Sequence, residues 1–123
     1  MAHARELAER WWTLFLANDL EGAQAHAAPD LRFRGPGVDF NGADALVPYL
    51  RTFHEQFGDF ERTVKSVTGN GDAAFIELEL AATHKATGKR VRWYTTDYVQ
   101  TTGNKIVSWH AFWDRAGFGG QLA

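Results

Sequence analysis

The 123-residue chain has no cysteine, so disulfides, thiolate nucleophiles and cysteine-ligated metals are excluded. It has three prolines, one methionine and no apolar run approaching the ~20 residues that span a bilayer. Its formal net charge is −2, with Lys and Arg scattered rather than clustered, so no nucleic-acid partner is expected. The five histidines (His3, His26, His54, His84 and His110) fall at no metal-ligand spacing. His54-Glu55-Gln56-Phe57-Gly58 lacks the second His of a zinc-protease helix, and no Walker loop, dinucleotide fingerprint or serine nucleophile elbow is present. These absences remove most cofactor-dependent and covalent mechanisms. Acid–base chemistry or plain binding remains, with no cofactor and no metal expected.

What the chain does have is aromatic surface, with five Trp and nine Phe in a composition that is 45% hydrophobic. That composition is globular, and the length fits one domain over residues 1–123. The aromatic excess can build a core and also suits an apolar cavity. The N-terminus enters a helical pattern at once and shows no signal peptide, which together with the lack of cysteine fits a cytoplasmic, membrane-independent protein.

Residues 3–18 read as an amphipathic helix with Leu7, Trp11, Leu14, Phe15 and Asn18 on one side. Asp19 is a candidate N-cap for a short second helix ending before Pro29. Residues 30–34 alternate as a brief strand ended by Gly35-Pro36-Gly37. A third helix covers about 43–57 with a stripe of Leu46, Leu50, Phe53 and Phe57. Pro48 predicts either a kink or a start near Val47, since proline removes a backbone donor.

From Phe60 the apolar period shortens to two. The turn signals Gly69-Asn70-Gly71, Thr87-Gly88-Lys89 and Thr102-Gly103-Asn104 divide the remainder into strands near 60–68, 73–86, 90–101 and 105–114. Helices first and hairpin-linked strands afterwards predict an α+β fold, with helices on one face of an antiparallel sheet. The Gly-rich tail after Ala116 is expected to be loose unless it docks.

Alternation then chooses the inward faces. Over 73–86 the inward set is Ala74, Ile76, Leu78, Leu80, Ala82 and His84; over 90–101 it is Val91, Trp93, Thr95, Asp97 and Val99. In the last strand either face is apolar enough to pack, and we assign Ser108, His110, Phe112 and Asp114 inward. A β-bulge would flip every residue beyond it. Carboxylates and imidazoles gathered in an apolar cavity have the means for proton transfer, because burial and neighbours tune their pKa values. Each also has a structural reading, as a hydrogen-bonded core group or, for Asp114, a cap at the strand's end. The opposite faces carry Tyr94, Tyr98, Val107, Trp109, Ala111 and Trp113. So aromatic a patch either meets a second copy in a homodimer or forms the core in place of the other face.

Several segments together resemble the nuclear transport factor 2-like superfamily, in its SnoaL-like polyketide cyclase branch. They are Ala17-Asn18-Asp19-Leu20-Glu21, Asp30-Leu31-Arg32-Phe33, Asn41-Gly42, Ala82-Thr83-His84-Lys85, Gly103-Asn104-Lys105-Ile106, Phe112-Trp113-Asp114 and Gln121-Leu122. The resemblance implies a cone-shaped, barrel-like domain: a curved antiparallel sheet wrapped around three N-terminal helices, with a deep apolar pocket. It implies an acid–base Asp late in the last strand, here Asp114, and cofactor-free chemistry on a hydrophobic, ring-containing small molecule. His110 would orient the substrate, and Asp97 or His84 would shift the pKa of Asp114. The substrate would lie against Trp12, Phe15, Phe33, Phe53, Trp93, Thr95 and Phe112.

Departures from the pattern narrow the reaction. Ketosteroid isomerases carry a Tyr where Trp11 stands and an Asp where Gly35 stands, so that reaction is disfavoured. Limonene-epoxide hydrolases use an Arg and an Asp two apart on a strand with a second Asp elsewhere, and no inward Arg-x-Asp pair occurs here. His84, His110 and Asp97 or Asp114 imitate the paired His and Asp of scytalone-type dehydratases, without evident Tyr partners on the helices. The rival reading is a non-catalytic ligand-binding or dimerisation module of the same fold.

Overall fold

The computed structural model describes residues 3–123, without the side chain of Asn70. Helix α1 (Ala4–Leu16) buries Ala4, Leu7, Ala8, Trp11, Trp12 and Phe15, which recur every three or four residues and so fall on one stripe. Asn18 does not extend that stripe. It takes a left-handed conformation (φ 62°) that ends the helix. The Asp19 side chain caps α2 (Leu20–Ala25) by accepting from the Gly22 backbone N–H at 3.0 Å, as its position in the sequence predicts. Pro48 is accommodated without a kink: a 3-10 turn (Ala43–Ala45) comes first and α3 begins at Leu46, leaving the proline within the first turn of α3 (Leu46–Gln56).

Six strands follow or interleave: β1 (Ala27–Gly35), β2 (Val38–Asn41), β3 (Phe57–Asn70), β4 (Ala73–His84), β5 (Arg90–Thr102) and β6 (Lys105–Trp113). They form one sheet in the order β2-β1-β6-β5-β4-β3. The expected antiparallel sheet is in fact mixed, because β1 runs parallel to β6. The short hairpin partner β2 is an addition to the strands read from sequence; it pairs Phe40 with Phe33 across the Gly35-Pro36-Gly37 turn. Register shifts in β3 and between β5 and β6 insert extra residues, which bend and twist the sheet. The result is an open, curved α+β sheet whose concave face holds α1 and α3 over one continuous core that includes Leu7, Trp11, Leu31, Ile76, Leu78 and Trp109.

The inward faces of β4 and β5 are as the alternation predicts: Ile76, Leu78, Val91, Thr95, Asp97 and Val99 are all buried. The face of β6 is inverted relative to expectation. Thr101 pairs with Ile106 but Gln100 pairs with Ser108, so Val107 is an extra residue in the ladder. Beyond it Val99 faces Trp109, Asp97 faces Ala111 and Thr95 faces Trp113, which puts Trp109, Ala111 and Trp113 on the concave side. His110 and Phe112 therefore point outward, and Phe112 is 50% exposed. The tail docks, the alternative its sequence left open. It forms a short helix, α4 (Arg115–Gly120), that docks through Phe118 and Leu122 on a second small cluster around Phe57, Ala82 and Val91.

Candidate functional site

The concave face does not fill completely with side chains. Between α1, α3 and the sheet lies an aromatic-lined cavity of about 70 Å³, smaller than the sites usual for drug-sized ligands, so a ring-containing ligand needs the walls to give. Helix α1 contributes Trp11, Trp12 and Phe15, and α3 contributes Tyr49, Leu50 and Phe53. The sheet floor comes from Phe33, Leu80, Trp93, Trp109 and Ala111. Edge-to-face contacts such as Trp11 against Trp12 (5.3 Å between ring centres) and Phe15 against Phe53 (6.3 Å) fix the orientation of the walls.

One carboxylate lines this cavity among the described residues: Asp97. It is 1% exposed and sits on β5 between the inward side chains of Ile76 on β4 and Ala111 on β6. Burial is therefore the largest influence on its ionisation and raises its pKa from 3.8 to about 7. Three donors oppose that rise. The Thr95 hydroxyl donates to Oδ1 at 3.1 Å, the Trp12 indole Nε1–H donates to Oδ2 at 3.0 Å, and the Trp109 indole adds the smallest contribution. A carboxylate oxygen has two lone pairs. With Trp12, Thr95 and Trp109 taking three of the four sites, a ligand or a proton still has one place to bind. At neutral pH the group is divided between acid and base forms, the condition in which a side chain both takes and returns a proton.

Tyr49 is a further polar group on the wall, besides Asp97 and Thr95. Burial pushes its phenol up to about 12, with nearby Arg115 opposing the shift and Asp97 reinforcing it. It remains a neutral O–H, and no described protein group hydrogen-bonds to it. Sequence reasoning missed this residue. The signal was available, because Tyr49 lies three residues after Leu46 and four before Phe53, on the same helical face.

Of the substrate-contacting residues expected from sequence, Trp12, Phe15, Phe33, Phe53, Trp93 and Thr95 line the cavity. Phe112 does not, for the reason given by the bulge at Val107. The four expected catalytic residues separate in space. Asp97 is inside. Asp114 is exposed and caps α4, its Oδ1 accepting from the Gly117 N–H at 2.9 Å. His110 is on the outer face against Phe112, with ring centres 4.1 Å apart; burial first, then Arg34 and Arg32, lower its pKa. His84 is at the end of β4, where Nδ1 shares a 2.8 Å hydrogen bond with the Thr87 hydroxyl. The expected inward group of Asp97, His110, Asp114 and His84 is thus corrected to Asp97, Thr95, Trp12 and Tyr49. No group of three or more His, Cys, Asp or Glu among the described residues is placed to hold a metal ion. No described helix is long and apolar enough to cross a membrane.

The same frame recurs in solved structures. An NTF2-like protein from Burkholderia thailandensis superposes with a TM-score of 0.86 at 16% identity, over 100% of this chain and 99% of that one. A candidate polyketide cyclase from Pseudomonas putida gives 0.85 at 14% identity over the full length of both chains. An LEH-like epoxide hydrolase from Mycobacterium tuberculosis gives 0.80 at 19% identity, over 97% of this chain and 88% of that one. At such identities the likeness establishes the fold. No curated protein matches the sequence. The sequence pattern of the SnoaL-like domain, however, matches residues 8–109, most of the chain and all of the cavity's floor except its last strand end. The chain belongs to the SnoaL-like domain family, within the nuclear transport factor 2-like fold.

Proposed function

We propose that the cavity binds an apolar, ring-containing small molecule and that Asp97 exchanges a proton with it, without a cofactor. The observation that carries this reading is a lone carboxylate, buried in aromatic surface, with a pKa of about 7. The proton leaves a carbon or oxygen of the ligand for a free lone pair of Asp97 and returns to another position, so the carboxylate is regenerated. Thr95 and Trp12 hold the carboxylate and favour its ionised form. Tyr49 supplies a neutral donor for a polar atom of the ligand. Cyclase, isomerase and dehydratase chemistry all use such a step. Epoxide opening of the limonene type fits less well, because Thr95 stands two residues before Asp97 and no second carboxylate among the described residues lines the cavity.

A second reading rests on the Trp12–Asp97 bond itself. It ties α1 to β5 across 85 positions of sequence, which is what a purely structural anchor in a non-catalytic binding module would do. The two readings separate in one experiment. Wild type and Asp97→Asn are screened by thermal shift against aromatic polyketides, steroids and terpenoids. The hit is then incubated in D2O, and deuterium uptake into it is followed by mass spectrometry. Proton exchange by wild type, lost in an Asp97→Asn protein that still binds, supports catalysis; binding without exchange in either protein supports the module.

The outer face of the sheet carries Tyr94, Tyr98, Phe75 and Phe112, with Phe75 stacked on Tyr98 at 4.5 Å. We propose that this face, which keeps Tyr94 and Tyr98 of the patch expected from sequence and has Phe112 in place of Trp109, Ala111 and Trp113, pairs with a second copy of the chain.

A further inference from the structure

Phe118 of the C-terminal segment is one of the cavity's lining residues, and we infer that this segment is a latched cover, with Phe118 as plug, whose release admits the ligand. The inference rests on the cavity being a ligand site, but not on the chemistry at Asp97. Phe118 lines the cavity at its rim, with its ring 4.9 Å from Trp93, 5.4 Å from Trp113 and 5.5 Å from Phe57. Trp93 and Trp113 also line the cavity, and all three partners stand on strands of the sheet, β5, β6 and β3.

The latch is a side chain that imitates a strand. β6 ends at Trp113, opposite Thr95, so β5 has no strand partner on that side at Arg92. Gln121 supplies one: its Oε1 accepts from the Arg92 backbone N–H at 2.9 Å and its Nε2 donates to the Arg92 carbonyl at 2.6 Å. The Lys89 ammonium also donates to the Ala123 carbonyl. At the other end, Asp114 caps the helix and marks where β6 gives way to the cover. Between these two fixed points the segment has little to hold it. Helix α4 buries none of its residues, and three of its six are glycine. Glycine weakens a helix by its backbone entropy, and local openings are drawn from elements with few buried contacts. Phe118 and Leu122 on a small apolar cluster, the Gln121 amide pair and the Lys89–Ala123 contact therefore hold a weak helix beside the cavity, and breaking them frees the segment without disturbing the sheet.

The test uses the full chain, two variants and two readouts. Gln121→Ala removes the latch and leaves the plug; Phe118→Ala removes the plug and leaves the latch. Amide hydrogen exchange by NMR follows the Arg92 N–H, and stopped-flow fluorescence follows association of 8-anilinonaphthalene-1-sulfonate as an apolar probe. Gln121→Ala is expected to speed exchange at Arg92 at least tenfold while mid-β5 amides such as Thr96 and Tyr98 keep their rates. Both variants are expected to speed probe association about tenfold. Faster Arg92 exchange with unchanged probe association in both variants overturns the gate, since the segment then moves without controlling entry. Unchanged Arg92 exchange in Gln121→Ala overturns the latch. Failure of the probe to bind wild type and both variants contradicts the ligand-site reading, and the cover falls with it.

Discussion

Trp12 Nε1 donates to Asp97 Oδ2 at 3.0 Å, joining the first helix to the fifth strand at the one carboxylate among the described residues that lines the cavity. Two opposed influences meet in this contact. The indole stabilises the charged carboxylate, and the packing that brings the indole there removes water and destabilises it. Burial wins, because the pKa ends near 7 rather than below 4.

A consequence for stability follows from linkage. Asp97 ionises at 3.8 unfolded and about 7 folded, so between those values the folded state binds more protons than the unfolded state. Its contribution is most favourable below about pH 4 and is lost as pH rises to 7. At roughly 1.4 kcal/mol per pKa unit the loss is on the order of 4 kcal/mol. Chemical denaturation across pH 4 to 8 is expected to show this decline in wild type. Asp97→Asn, which has no charge to bury, flattens it.

Trp12→Phe keeps most of the aromatic bulk and deletes the donor. Asp97 then moves further up, and because it accepts the proton in its ionised form, the acid limb of any pH–rate profile moves up with it. The stability cost is expected to be about 1 kcal/mol at pH 5, where the carboxyl is already neutral, and about 2 kcal/mol or more at pH 8. Denaturant titrations at the two pH values measure the difference.

Asp114 separates the structural account from the one that sequence suggests. Asp114→Asn keeps an efficient cap and leaves both stability and ligand turnover near wild type. Asp114→Ala costs about 1 kcal/mol, confined to α4. Turnover abolished by Asp114→Asn in a folded protein would restore the late-strand carboxylate as the catalyst.

The outer-face pairing predicts a dimer in solution that Phe112→Arg converts to a monomer, with the thermal midpoint of ligand-bound protein still above that of free protein. Sedimentation velocity reads the first and thermal shift the second. A wild-type monomer at micromolar concentration contradicts the pairing.

Much of this molecule was legible in its residues, and the misses have physical causes. Alternation placed Asp97 and Thr95 inward because β5 is regular from Val91 to Val99. On β6 alternation left either face apolar enough to pack, the family resemblance favoured the Ser108, His110, Phe112 and Asp114 side, and the extra residue Val107 after the buried Ile106 puts the other face inward. Counted on from Ile106 by twos, the inward set is Ser108, His110 and Phe112; the bulge exchanges it for Trp109, Ala111 and Trp113. No residue type in that stretch announces a bulge. Only cross-strand partners reveal it, as they do the four-residue β2 and the parallel junction of β1 with β6. Tyr49 was passed over for a different reason, since a stripe read from its most apolar members omits an amphipathic residue on the same face.

The central claim concerns one proton on one carboxyl, and 13C NMR of selectively labelled aspartate reads it directly. Comparison with Asp97→Asn assigns the Asp97 signal, which is followed from pH 3 to 9. A midpoint near 7, moving when ligand fills the cavity, is the predicted result. A midpoint at or below 4 in the folded protein would mean that Asp97 is a permanently charged structural anchor, and the proposed proton exchange would have no residue to perform it.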